Sequence, residues 1–77
     1  MRKFKLREIK EFVREGLAKD ISKLDFNQVE ELLKNNIMDK IGYSTGTYGI
    51  NGGIIQDRKT GERFAIVGRS ITLLMVF

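Results

Sequence analysis

The sequence of 77 residues contains no cysteine, no histidine, no proline and no tryptophan. The missing cysteines exclude disulfides, and the ordinary ligands of structural zinc are missing with the cysteines and histidines. Without an imidazole or a thiol, the chain also lacks the Ser-His-Asp and Cys-His arrangements of nucleophilic enzymes. The carboxylates show no spacing that indicates a paired acid and base. We therefore expect a protein that is not an enzyme and that uses no metal or cofactor.

Long apolar runs are also missing. The longest one, Leu73 to Phe77, is far shorter than the roughly 20 residues that span a bilayer. The first eight residues are basic but lead into no apolar stretch of the kind found in a signal peptide. These features predict a cytoplasmic protein without membrane association.

The composition changes near residue 37, because seven of the eight glycines follow that point. We predict one α+β domain over residues 1–77, with a helical part at about 6–37 and a β part at about 38–77. The expected architecture has two N-terminal helices packed on one face of a three- or four-stranded antiparallel sheet.

Two helices are predicted from apolar residues at helical spacing. The first runs from about Leu6 to Glu15, and Gly16 follows as a left-handed C-cap. The second has Asp25 as its N-cap, because Gln28 three positions later completes a capping box. Asn35 and Asn36 should end the second helix, since asparagine tolerates left-handed backbone. Residues 17–22, between the helices, should be extended.

Strands are predicted over residues 41–45, 52–57 and 62–67, with a compact turn at 58–61 joining the last two. Residues 68–70 should form a bulge or a second turn before a last strand over residues 71–77. That last strand is apolar on both faces, so it is either a central strand or part of a subunit interface. Because a chain this short buries little core, we favour the interface and expect a homodimer.

A basic N-terminal region is the first candidate site, for nucleic-acid contact through neutralised phosphates. Arg7, Lys10 and Arg14 form one stripe on the first helix, which Lys3 would join if the helix began earlier. A parallel acidic stripe of Glu8, Glu11 and Glu15 favours a solvated face with pairs such as Arg7 with Glu11. The full candidate set is Arg2, Lys3, Lys5, Arg7, Lys10 and Arg14.

A loop rich in glycine and hydroxyl groups, residues 42–53, is the second candidate site, for a protein partner or a ligand. It holds five of the eight glycines and both tyrosines, yet it contains neither a Walker A loop nor a dinucleotide-binding fingerprint. The alternative is a bent or bulged β-connection. Separately, both tyrosines are expected to be buried, with satisfied hydroxyls. If strand pairing brings residues 68–70 beside it, an arginine joins the site. The candidate residues are Tyr43, Tyr48, Asn51, Arg69 and Ser70.

Residues 12–22 and 43–53 together resemble small uncharacterised proteins of Gram-positive bacteria and their phages or mobile elements. The similarity continues through residues 65–70 and so covers most of the chain. It implies an accessory protein and carries no activity, ligand or site residue. The sequence as a whole predicts a non-enzymatic interaction protein that acts through protein contacts as a homodimer; the alternative is a basic nucleic-acid-binding module.

Overall fold

A computed structural model describes residues 2–69. Two helices and five strands follow one another in the order β1 (Arg2–Lys3), α1 (Leu6–Arg14), β2 (Lys19–Asp20), α2 (Phe26–Asn35), β3 (Met38–Gly46), β4 (Gly49–Asp57) and β5 (Arg63–Val67). The α+β class is therefore confirmed. The apolar segment 71–77, and with it the interface predicted there, lies outside the described residues, as does Ser70.

The sheet is mixed, which corrects the prediction of a purely antiparallel one. Its five strands lie in the order β1-β3-β4-β5-β2. The two hairpins β3–β4 and β4–β5 are antiparallel, whereas the short edge strands β1 and β2 run parallel to β3 and β5. Residues 17–22 were correctly predicted to be extended, since β2 lies within them. The parallel pairing was missed because two-residue strands with exposed side chains carry no pattern that indicates their partner.

The two helices lie against opposite faces of the sheet rather than on one face. Ile9 of α1 belongs to a buried cluster with Ile54 and Ala65, whereas Val29 of α2 belongs to a separate cluster with Ile55 and Ile66. Successive side chains of a strand point to opposite faces, so these clusters are on the two sides of β4 and β5. The prediction of one covered face was therefore wrong.

The chain path explains this arrangement. The β1–α1–β2 connection crosses the sheet from one edge to the other, and the β2–α2–β3 connection returns across it. Connections between parallel strands are nearly always right-handed, so two of them that run in opposite directions place their helices on opposite faces.

Local signals position both helices as the sequence indicates. The Asp25 carboxylate accepts the Gln28 backbone N–H at 2.8 Å, and the Gln28 side chain accepts the Asp25 N–H at 2.9 Å. Gly16 follows α1 with a φ of +74°. The end of α2 differs from the prediction, because Asn36 is extended, with a φ of −137°. The chain passes straight from the helix into β3, which leaves no room for a left-handed turn.

The sheet edge at β1 depends on a close approach at Gly42. A Cβ added there would overlap the ring of Phe4 and the carbonyl oxygen of Arg2. The Phe4 N–H donates to the Tyr43 carbonyl at 2.7 Å, and Phe4 is only 4% exposed. Only glycine therefore lets β1 pair with β3 while Phe4 enters the core.

We expect Gly42→Ala to lower the free energy of unfolding by about 1–3 kcal/mol, because the added methyl group overpacks this contact. Chemical denaturation measures the loss, and hydrogen exchange of the Phe4 amide shows whether β1 has separated from β3. Thr45→Ala, at an exposed position of the same strand, is the control and should change stability by less than about 0.5 kcal/mol. A stable Gly42→Ala variant with a protected Phe4 amide would contradict the prediction.

Candidate functional site

The loop predicted from residues 42–53 is the tip and upper half of the β3–β4 hairpin. Gly46 pairs with Gly49, so Thr47 and Tyr48 form a two-residue turn at its end. Gly49 has a φ of +116°, a value that side-chain-bearing residues rarely adopt. The alternative of a bulged β-connection is therefore confirmed as the local structure of this segment.

Two bulges bend this hairpin, at Ile41 and at Asn51. The register passes from Ser44↔Gly52 to Thr45↔Ile50, which leaves Asn51 as the extra residue of β4. A bulge of this kind puts the side chains on its two sides out of the regular alternation between faces. Ile50 accordingly packs with the α2 side of the core, although its sequence spacing from Ile54 would place it on the α1 side.

Tyr48 is fully exposed at the tip, which corrects the expectation of a buried tyrosine for this residue. Tyr43, four residues before the turn, is half-buried at the position where Lys3 of β1 pairs with β3. The two tyrosines therefore have different environments. Since Tyr48 is completely exposed, its ring contributes nothing to the core.

Asn51 carries an unusual acceptor. Its Oδ1 atom is buried and has no hydrogen-bond partner, the one side-chain atom of residues 2–69 with that combination. The amide lies over Gly46, where an added Cβ would be 2.7 Å from Nδ2. Leaving such an acceptor without a donor costs about 1–3 kcal/mol. Asn51 therefore has an unused hydrogen-bonding capacity beside the tip.

A small cleft is lined by both Tyr48 and Asn51. It has a volume of about 210 Å³ and is lined by uncharged residues. They are Gly46, Thr47, Tyr48, Gly49, Ile50, Asn51 and Gly68. Gly68 is there because Val67 pairs with Gly52, so the chain that leaves β5 passes the bulge.

Arg69 points elsewhere, although the sequence suggested that it joins this loop. Its Nη1 atom donates to the backbone carbonyls of Ser22 and Leu24, the second at 2.9 Å. The Ser22 hydroxyl accepts the Val67 N–H at 2.7 Å and donates to the Asp20 carboxylate. Together these groups fasten the segment after β2 to the end of β5. No local sequence pattern indicates this cluster, because Ser22 is more than 40 residues from both Val67 and Arg69.

The predicted basic site is distributed over β1, the start of α1 and the outer face of α1. All six side chains are exposed. Lys3 lies in β1 and so does not extend the helical stripe. The predicted Arg7–Glu11 ion pair is absent from residues 2–69, where Arg2–Glu8, at 3.5 Å, is the pair that forms on this side. Arg2 also lies over the Phe4 ring, 4.8 Å from its centroid.

A larger cleft of about 420 Å³ lies between the end of α2 and the β4–β5 turn, beside the exposed Ile37. Asp57 organises that turn, since its Oδ1 accepts the N–H groups of Lys59 and Thr60. The Arg58 guanidinium binds the Asp39 carboxylate at 2.6 Å and lowers the pKa of that carboxyl below its ordinary value. These polar groups are already satisfied by the fold, so this cleft offers mainly an apolar surface.

No family model, no curated protein and no solved structure matches the chain. The resemblance to small proteins of Gram-positive bacteria and their phages therefore stays a prediction. Neither helix of the described residues is long and apolar enough to cross a membrane. Residues 2–69 also contain no group of three acidic side chains that could hold a metal ion.

We expect Arg69→Ala to destabilise the fold by about 1.5–3 kcal/mol, because hydrogen bonds from a charged donor to two carbonyls are lost. Thermal and chemical unfolding measure the change. Arg7→Ala removes an exposed arginine from α1 and should be nearly neutral, which makes it the matched control. If the two variants are equally stable, Arg69 is not a structural anchor.

Proposed function

We propose that the protein is a small non-enzymatic interaction domain that contacts other proteins through the tip of the β3–β4 hairpin. The observation that carries the proposal is the full exposure of Tyr48. A buried aromatic ring is explained by packing in the core. The Tyr48 ring has no packing role, and its whole surface is accessible to a partner. Tyrosine is among the residues most enriched at the energetic centres of protein interfaces.

The surroundings of Tyr48 support the same proposal. The two-residue turn holds the backbone of Tyr48 at the end of a paired hairpin, so little backbone entropy is lost when a partner binds the ring. The adjacent cleft and the unused acceptor of Asn51 add a recess and a polar contact to the exposed ring. Recognition that combines an aromatic anchor with one oriented polar group is typical of a specific interface.

A photo-crosslinking amino acid at position 48 tests the proposal in cells that produce the full chain. We expect a defined protein adduct from position 48 and none from the same group at Lys59, an exposed position on the other hairpin turn. The crosslinked protein, once purified, should bind Tyr48→Ala at least tenfold more weakly than the original chain, since truncated interface tyrosines often cost 2 kcal/mol or more. Unchanged binding by Tyr48→Ala would refute the proposal.

A second candidate function is nucleic-acid binding through the α1 side of the molecule. The observation in its favour is that, of the six exposed basic side chains there, Arg2 is the one held in an ion pair within residues 2–69. The others are available to phosphates. Residues 2–15 hold six basic and three acidic side chains, so a moderate positive field surrounds α1.

A mobility-shift titration with mixed-sequence DNA and RNA over a range of salt concentrations tests this candidate. Binding should weaken steeply with salt, and replacing Lys10 and Arg14 with glutamine should reduce the log–log slope by about 1.4–1.8, or 0.7–0.9 for each lost phosphate contact. The control replaces Lys34 and Lys59, two exposed lysines outside α1, and should leave the slope unchanged. Absence of binding at low salt excludes this function.

A further inference from the structure

The hairpin tip carries a donor and an acceptor that lack partners and are close together in the chain. Tyr48 presents a fully exposed phenol, and Asn51, three residues later, holds a buried Oδ1 that receives no hydrogen bond from residues 2–69. Both residues line the same cleft of about 210 Å³. A phenol hydroxyl is a hydrogen-bond donor, and an asparagine Oδ1 is an acceptor. The tip therefore presents both halves of one interaction.

The cleft also restricts the kind of group that can enter it. Its lining has no charged side chain, so it offers no counter-ion to a carboxylate, a phosphate or an ammonium group. A neutral donor attached to an apolar body fits such a site. Tyr48 itself carries a neutral hydroxyl donor on an apolar ring, and it is the fully exposed aromatic residue of residues 2–69.

We infer that the hairpin tip is a self-complementary contact between two copies of this chain. In this contact, Tyr48 of each copy enters the cleft of the other, and its hydroxyl donates a hydrogen bond to Asn51 Oδ1. A two-fold axis beside the tip produces both contacts at once, as a symmetric interface requires. The inference rests on the proposed function in its use of the hairpin tip, and it adds a second copy as the partner.

The Asn51 amide has to turn slightly to meet the hydroxyl, because Oδ1 is enclosed in the free chain. The terminal torsion of asparagine is broad, so this turn meets no steep barrier. A contact confined to two hairpin tips buries less than the roughly 1,000 Å² of a stable dimer. The association is therefore weak and concentration-dependent.

Sedimentation equilibrium and concentration-dependent NMR shifts of the full chain test the inference, with the original protein as the probe. Tyr48→Phe removes only the hydroxyl and should raise the dimer dissociation constant about 25-fold, or roughly fivefold for each of two symmetric hydrogen bonds. Tyr43→Phe, which removes the hydroxyl of the other tyrosine, is the matched control and should change nothing. Asn51→Ala should weaken the dimer as much as Tyr48→Phe, and combining the two should add little.

Mixing variants separates a contact between copies from an effect within one copy. Tyr48→Phe and Asn51→Ala homodimers each lack both hydrogen bonds, whereas their heterodimer keeps one, from the tyrosine of the second variant to the asparagine of the first. Isotope-edited NMR of the mixture should therefore show association about fivefold tighter than that of either variant alone. A purely structural role for Asn51 predicts no such recovery.

A chain that stays monomeric at millimolar concentration overturns the inference. It is also overturned if Asn51→Ala changes thermal unfolding but leaves association unaltered, since the acceptor would then serve its own chain. Both results leave the proposed function open to its own test, because a different protein crosslinked at position 48 does not depend on self-association. Conversely, a dimer lost in Tyr48→Phe supports the inference even if no other partner is crosslinked.

Discussion

The structure depends on the burial of β4 and β5 on both of their faces. Ile54 and Ile55 are consecutive and point in opposite directions, yet both are almost completely buried. Ala65 and Ile66 repeat this arrangement on the neighbouring strand. A chain of 77 residues must therefore supply two covering layers, and each helix becomes one of them. Because each helix covers a separate face, the loss of either one would expose half of the core.

This constraint also determines the edges of the sheet. Each crossover connection joins two parallel strands. The edge strands β1 and β2 have two residues each, just enough to form the ends of these connections. Strands so short gain little from their own ladders, so other contacts hold them in place. Phe4 enters the core beside Gly42 at one edge, while the Ser22 and Arg69 hydrogen bonds close the other. The edges are thus fixed by single residues rather than by strand length.

The sequence predicted the features that arise from neighbouring residues. The capping box of Asp25 and Gln28, the left-handed Gly16 and the β4–β5 turn follow from local hydrogen bonds and backbone preference. The parallel pairing of the edge strands could not be predicted, since Lys19 pairs with Phe64 across most of the chain and no apolar pattern indicates that partner. The adjacent Ile54 and Ile55 did carry a signal for two covered faces. Apolar residues on both faces predict two covering layers at residues 71–77, and the same pattern in β4 indicates the helices on its two sides.

The candidate site shows the same division between local and distant causes. The glycines marked the hairpin tip correctly, because close approach and positive φ are local requirements. Strand pairing of its neighbours predicts that Arg69 lies beside the same tip. Val67 does pair with Gly52, but the two carbonyls near β2 bind the guanidinium.

The bulge at Asn51 therefore determines which side chains are left exposed or unpartnered at the hairpin tip. The bulge turns Ile50 into the core and leaves the asparagine amide beside the cleft without a donor. Packing of the core explains the position of Ile50, but it gives no reason for an unsatisfied amide or for a tyrosine ring in solvent. A second molecule that covers the tip would give the amide a hydrogen-bond donor and the ring an apolar contact, and that is the physical argument for the proposed site.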